Sequence, residues 1–488
     1  MQHGGRFQDA PPARSPAAPQ DEADAQPVRQ ASMPPSALHA ALGPAPEPSR
    51  RSSPALNFRA VSERRAAAWS ETLEVRDLRR RTDMESAVTV PASTHPLDYW
   101  VFYGQSNAGM SGSAGTNVIT GAWWPHHALQ FAGCSAADGK TLLDGARLVD
   151  FAPISPSSAL GQPAWTAPFA AEAFFRERTG TASPGRVTFT TNYAGHPITS
   201  MMPGSVVYTN MLTAASRAKA IAEQYGRALE ISRFVFIQGE TFSSGYGTDL
   251  AILADAARAD LQAITGQAAP QMLLVQTNGP DVFLSPSYIQ LEQYRFCRER
   301  YGRGVTMVGP MYAAPFAAND IIHQDGIGKA MLGQAIAYAD DALRAGEEYQ
   351  PLWPLLDRPV SRSGNQVTVR FSRPVAFDPG LGNGGWVKPV ENYGFAYFGA
   401  DSSRISITSV AITAECEVTI MLSGTPMATD RRIGYARCEP ASTEKDGWTG
   451  TRGQLISPTG RKSPFHAAGA PIPAQIDLYC VQFEEPIP

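Results

Sequence analysis

The sequence predicts a mixed α/β protein in two folded parts, a parallel sheet wrapped by helices over residues 96–345 and a β-rich accessory part over residues 355–488. Three observations carry this. Between 96 and 345, strand-like apolar runs alternate with helix-like stretches, the pattern of a parallel α/β sheet. Pro351, Pro354 and Pro359 then mark a boundary, after which the texture changes to short alternating runs punctuated by Gly, Pro and Asp. Residues 1–90, by contrast, are rich in Pro, Ala, Arg, Ser and Gln and sparse in Leu and Val. Such a segment buries too little apolar surface to offset its ordering entropy and is predicted disordered, apart from one helix around Ala66–Arg81. Met84 opens an equally good start just before the first strand.

The first strand is Tyr99–Tyr103, an apolar run that breaks at Gly104 into polar and small residues. The glycine lets the backbone turn without a Cβ clash. Further strands are predicted at Val187–Tyr193, Phe234–Gln238, Met272–Gln276 and Val305–Val308. Helices are predicted at Trp165–Arg178, Met211–Tyr225, Thr248–Thr265, Ser287–Arg300 and Gly326–Ala345. In the last, Ile327, Ala330, Met331, Gln334, Ala335 and Tyr338 fall near helical spacing, which predicts the face that meets the sheet. Gly112–Gln162 is long and rich in Gly, Ser and Pro. It reads as a substrate-side loop holding Trp123, Trp124, His126 and His127, or as simple packing of the two tryptophans. The β-rich part shows runs at Gln366–Phe371, Gly394–Phe398, Ile405–Ile407, Cys416–Leu422, Ile433–Arg437 and Ile476–Phe483, read as a sandwich or compact β unit.

Composition narrows the function. A formal net charge of −4 gives no electrostatic basis for nucleic acid or an anionic membrane as the main partner. No apolar run reaches membrane-spanning length. The five cysteines are scattered, with no CxxC pair or His/Cys cluster, so neither metal nor cofactor is implied; Cys416 and Cys438 could pair. The given N-terminus lacks the apolar core of a secretory signal, which reads as cytoplasmic or as exported by another route.

Four separated segments carry chemistry: Gly104-Gln105-Ser106-Asn107, Tyr193-Ala194-Gly195-His196, Gln238-Gly239-Glu240 and Asn319-Asp320-Ile321-Ile322-His323. In a parallel sheet they lie along one edge, where open α/β sheets place their ligand sites. Ser106 is the candidate nucleophile. A serine hydroxyl needs an adjacent base, and imidazole is the usual one. Asp320 and His323 are three apart, so Asp320 can hold Nδ1 of His323 and aim Nε2 at Ser106. An oxyanion would find the backbone N–H groups of Ser106 and Gly195 and the side-chain amide of Gln238. Gly195 suits a close backbone approach. Duller readings compete: Ser106 as a helix cap, D-x-x-H as a cap with a surface histidine, Gln238 and Glu240 as turn residues. His196 is a rival base, and Asp325 is either an orienting carboxylate or, more simply, a helix cap.

The order GQSN, a glycine after the next strand, QGE, then D-x-x-H resembles the SGNH hydrolase superfamily, and within it the sialate O-acetylesterase-like branch that includes carbohydrate esterase family six. The resemblance spans roughly residues 96–345. It implies a flavodoxin-like three-layer α/β/α fold and metal-free ester hydrolysis of an acetylated carbohydrate. It makes Ser106 nucleophile, His323 base and Asp320 its partner. Gly195 and Gln238 become oxyanion-hole donors, Glu240 a buried orienting carboxylate, and Gln105 and Asn107 supporting residues. Thr241-Phe242 stand where the branch commonly has Ser-Asp, and Ala194-Gly195-His196 where it usually has Gly-Gly. These departures bear on pocket shape and substrate. A glycan-binding attachment protein without turnover, of a surface or virion, is the rival class, and a lipase or thioesterase of the wider superfamily a third.

Overall fold

An unbroken apolar run suits a strand covered on both faces, and β1 (Leu97–Gly104) is buried along its whole length. It lies inside an eight-stranded sheet. The structure is a computed structural model that describes residues 90–111, 119, 121–156, 161–277, 288–317, 320, 322–382, 384–437 and 452–488. The expectations of disorder before residue 90, a helix at 66–81 and a start at Met84 fall outside these residues, as does Cys438.

In chain order the α/β part runs β1, β2 (Ala128–Phe131), β3 (Ala136–Asp138), β4 (Phe151–Pro153), α1 (Pro163–Thr179), β5 (Arg186–Asn192), α2 (Val206–Gln224), β6 (Leu229–Ile237), α3 (Tyr246–Thr265), β7 (Gln271–Gln276), α4 (Tyr288–Glu299), β8 (Val305–Pro310) and α5 (Gly326–Arg344). The sheet order is β4-β2-β5-β1-β6-β7-β8, with β3 beside β5. The central strands β5, β1, β6, β7 and β8 are mutually parallel. Taken as second, first, third, fourth and fifth, they follow the flavodoxin-like order, whose direction reverses beside the first strand. Right-handed crossovers then put α1 on one face and α2 to α4 on the other. The packing agrees: α1 lies on α5, α2 on α3, and α3 on α4.

The predicted central strands and helices are all present, most within two residues of their expected ends. β6 and α2 start five residues early. Three differences have physical causes. The 112–162 stretch contributes β2, β3 and β4, which extend the sheet at its edge, where short strands carry little periodic signal. Trp123–His127 sit at the start of β2, whose Ala128 pairs with Arg186 at the start of β5. That is the amino edge of the sheet, opposite the carboxyl ends, so the substrate-side reading of these residues is corrected. Trp123 packs between Phe169 and Phe465, Arg176 covers Trp124, and His127 Nδ1 bonds the Ser183 carbonyl. The third difference concerns α5. Of the expected face, Ala330 and Gln334 are buried while Ile327, Met331, Ala335 and Tyr338 are only partly so; Lys329, Gly333, Ile336 and Asp340, outside it, are buried too. A lysine, a glycine and an aspartate hid the more buried face from a hydrophobicity count.

A charged cluster closes the amino edge. Asp98 on β1 accepts from Arg186 on β5, and Arg344 on α5 reaches both Asp98 and Asp340. Arg233 on β6 completes it with a 2.7 Å contact to Asp340. Buried charges need such partners, and losing one leaves the other uncompensated.

The β-rich part forms small antiparallel sheets. One joins β9 (Val360–Ser363), β10 (Gln366–Arg370), β13 (Ile407–Ala414) and β14 (Glu417–Leu422). A second joins β11 (Ala376–Phe377), β16 (Leu455–Lys462) and β17 (Gln475–Tyr479). The third joins β12 (Phe395–Phe398), β15 (Arg432–Tyr435) and β18 (Phe483–Pro486). The single run expected at 476–483 is two strands. It breaks where the Cys480 carbonyl accepts from Tyr312 and Gln482 exchanges hydrogen bonds with Gln276 at the end of β7. The β-rich part therefore covers the carboxyl ends of β7 and β8. Among the described residues no helix is long and apolar enough to cross a membrane.

Gly104 is fixed by contact. A Cβ there would stand 1.8 Å from the Ile237 carbonyl oxygen on β6. Gly104→Ala should destabilise the protein by roughly 3 kcal/mol, the upper end of overpacking costs. Urea unfolding checks this; a loss under about 0.5 kcal/mol, the range of ordinary surface substitutions, would show that the strand ends separate freely.

Candidate active site

The sheet order reverses at β1, so the loops after β1 and β6 border a crevice at the carboxyl edge. After Gly104 the chain makes a single 3-10 turn, Ser106–Ala108, closed by Ala108 N–H to the Gln105 carbonyl at 3.0 Å and Gly109 N–H to the Ser106 carbonyl at 3.2 Å. Gln105 N–H donates to the Ile237 carbonyl at 3.0 Å, and the Gln105 side chain accepts from Gly239 N–H at 3.4 Å. The two loops thus hold each other by backbone and side chain. Ser106, Asn107, Gln238 and Glu240 are all buried.

Gly239 has φ +134°, and a Cβ there would meet Thr277 and Ile289 within 2.8 Å. The Gln238 carbonyl accepts from Gln293 Nε2 at 2.8 Å and from the Tyr246 hydroxyl at 3.2 Å, so α3 and α4 set its position. Its side chain faces the loop after β5: Nε2 lies 3.4 Å from the His196 carbonyl, and Oε1 has no partner among the described residues. That loop is anchored by Tyr193 N–H to the Gly104 carbonyl at 2.9 Å. Gly195 takes φ +74° there, and a Cβ would meet nothing within 4 Å. Within this chain the glycine answers to backbone conformation, and no neighbouring atom crowds it. The His196 ring stacks on Tyr193 with centroids 3.5 Å apart.

The fourth segment lies between β8 and α5. Asp320 is held by Oδ1, which accepts from Ile322 N–H at 2.8 Å and His323 N–H at 3.0 Å. Its Oδ2 lies 2.6 Å from His323 Nδ1. Burial raises the Asp320 carboxyl, but those two amides and the imidazole outweigh it and hold it below the usual range. Asp325 accepts from Gly328 N–H at 2.7 Å and caps α5; burial lifts its carboxyl to about 6. It is a cap and not the orienting carboxylate.

Asn107 joins the segments. Its Nδ2 donates to Glu240 Oε1 at 2.6 Å and to the Ile322 carbonyl at 2.9 Å, and its Oδ1 accepts from Gln324 N–H at 3.1 Å. The residue after Ser106 is thereby bonded to the residues on both sides of His323. Burial raises the Glu240 carboxyl, against the Asn107 hydrogen bond. No hydrogen bond among the described residues joins the Ser106 hydroxyl to the imidazole.

Two residues escaped the sequence reading. Gln293 is fully buried and braces Gln238. Lys329 on α5 is fully buried under Asn107. A basic residue among the apolar and small residues of the helix's first two turns was the available signal.

A scan against protein-family models finds no match, and neither does a search of curated proteins. Among solved structures the chain is similar to a carbohydrate acetylesterase from Xanthomonas citri, at 14% identity and a TM-score of 0.49, over 80% of each chain. It is also similar to a protein from Arabidopsis thaliana, at 16% identity and a TM-score of 0.36, over 50% of this chain and 97% of that one.

The lowered Asp320 value has a consequence for stability. A carboxylate held below its unfolded value stabilises the fold above that value, about 4, and loses its contribution as pH falls through the folded one. The stability gap between the wild type and Asp320→Asn, measured by urea unfolding over a pH series, should be widest near neutrality and close in acid. A gap independent of pH would refute the clamp.

Proposed function

We propose that the protein is a serine esterase that removes acetyl groups from a carbohydrate. The observation that carries this reading is the Asp320–His323 pair bonded through Asn107 to the turn that presents Ser106, at the switch point of a parallel sheet. Acetyl and carbohydrate are what the family resemblance carried by the GQSN and QGE motifs implies.

In this reading Ser106 Oγ attacks the acetyl carbonyl while His323 Nε2 takes its proton. Asp320 keeps the other nitrogen protonated and stabilises the imidazolium. The oxyanion meets the backbone N–H groups of Ser106 and Gly195 and the Gln238 amide, whose one bond among the described residues is long at 3.4 Å. The open space at Gly195 leaves room for it. His323 then gives the proton to the leaving sugar hydroxyl. Water, activated by the same imidazole, attacks the acetyl-serine and releases acetate. The bond between nucleophile and base forms in such a site when substrate is present; catalytic hydrogen bonds are often long without it.

On an aryl acetate, Ser106→Ala should lower kcat/KM by about 10⁴-fold or more, and Gln238→Ala by roughly 10²- to 10³-fold. A fluorophosphonate should label Ser106 of the wild type, and turnover should fall as the acyl chain lengthens. Unchanged turnover in the serine variant would remove Ser106 from the mechanism. An unlabelled serine would favour a glycan-binding role, and activity rising with chain length a lipase or thioesterase.

A further inference from the structure

We propose that Lys329 is a positioning residue, whose Nζ holds the Ser106 turn and the His323 loop in register through Asn107. The proposal rests on the reading of Ser106 and His323 as the reacting pair.

Lys329 lies in the first turn of α5, the helix that begins three residues after His323 and packs on α1. It is fully buried. Its Nζ donates to the Asn107 carbonyl at 2.7 Å and to Asn107 Oδ1 at 3.2 Å. Both bonds go to the residue that follows Ser106. The same Oδ1 accepts from Gln324 N–H, next to His323. One amine therefore fixes the carbonyl of the Ser106 turn and orients the amide that grips the base loop.

If only volume were needed here, an apolar side chain would fill it without the cost of burying an amine. Burial pushes Lys329 down to about 7, against the pull of Glu240, Asp320 and Asp325. Those carboxylates come from the loop after β6, the base loop and the cap of α5. All three favour the charged form of the amine. The lysine thus sits between the acidic residues that the site gathers and the turn that it must hold still. A misplacement of about 1 Å between reacting groups is enough to cost roughly 100-fold in rate.

The test uses the full chain and Lys329→Met, which keeps length and apolar volume but removes the donor. Circular dichroism and urea unfolding establish that it is folded. The expected result is a fall in kcat on an aryl acetate of about 100-fold with KM unchanged. Amide hydrogen exchange should become faster at Gln324 and Ile322–His323 and stay at wild-type rates in β1 and β6. Wild-type kcat with wild-type exchange at Gln324 would overturn the proposal. So would faster exchange spread over the whole sheet with kcat unchanged, since that marks a general packing role. If Lys329→Met does not fold, Lys329→Gln, whose donor is one atom short of Asn107, is read by the same two measurements. Failure of both to fold assigns Lys329 to the fold as a whole and also overturns it. The exchange readout needs no activity. If the wild type neither turns over esters nor labels at Ser106, local loosening in the variant still supports the positioning role, while the esterase reading fails.

Discussion

The Asn107 side chain is the point on which the candidate site depends. Its amide nitrogen donates to Glu240 and Ile322, and its oxygen accepts from Gln324 and Lys329. Four bonds use the donors and acceptors that an amide offers. No other side-chain type of this size supplies two donors and two acceptors in one plane. A carboxylate in its place would put an acceptor against Glu240 and the Ile322 carbonyl. Glu240 and Ile322 stand 133 and 215 residues along the chain from Asn107, and this one group makes the loops after β1, β6 and β8 a single object.

That object sits where the sheet prepares a place for it. The order reverses beside β1, so the connections on either side of β1 and β6 leave in opposite directions and open a crevice between them. Gly104 lets β1 and β6 run side by side to their ends, because any Cβ would meet the Ile237 carbonyl. At the other edge the Asp98, Arg186, Asp340 and Arg344 cluster ties β1, β5 and α5 together. α5 is thus pinned at its far end by buried charges and at its near end by Lys329. The loop carrying Asp320 and His323 that precedes it hangs from a helix held at both ends.

The β-rich part belongs to the same packing. Trp353 stacks edge-on against Tyr294 and Tyr301 of the α/β part, and Phe483 meets Tyr294 from the β-rich side. A cavity of about 330 Å³ lies between α5, the end of β8 and the β17 sheet, with Gln324, Trp386 and Asp477 among its walls. It begins one residue from His323. The carboxyl edge therefore has a wall on the β7 and β8 side that the α/β part does not itself provide.

The sequence by itself determined the alternation of strands and helices, the polar breaks at Gly104 and Gln238, and the proximity of Asp320 to His323. Each depends on neighbours in the chain: apolar runs, a glycine at a turn, a three-residue spacing. It pointed to one face of α5 and missed the more buried one, because Lys329, Gly333 and Asp340 carry no apolar signal. It also took β2 to β4 for loop, since a short edge strand takes its identity from the strand beside it. Tertiary structure alone decided that Trp123–His127 lie at the amino edge, that Gly195 answers to its dihedral angle, and that Asn107 and Lys329 bind the loops. Those facts are hydrogen bonds and contacts between distant segments, and no local pattern of residues encodes which buried polar group will meet which.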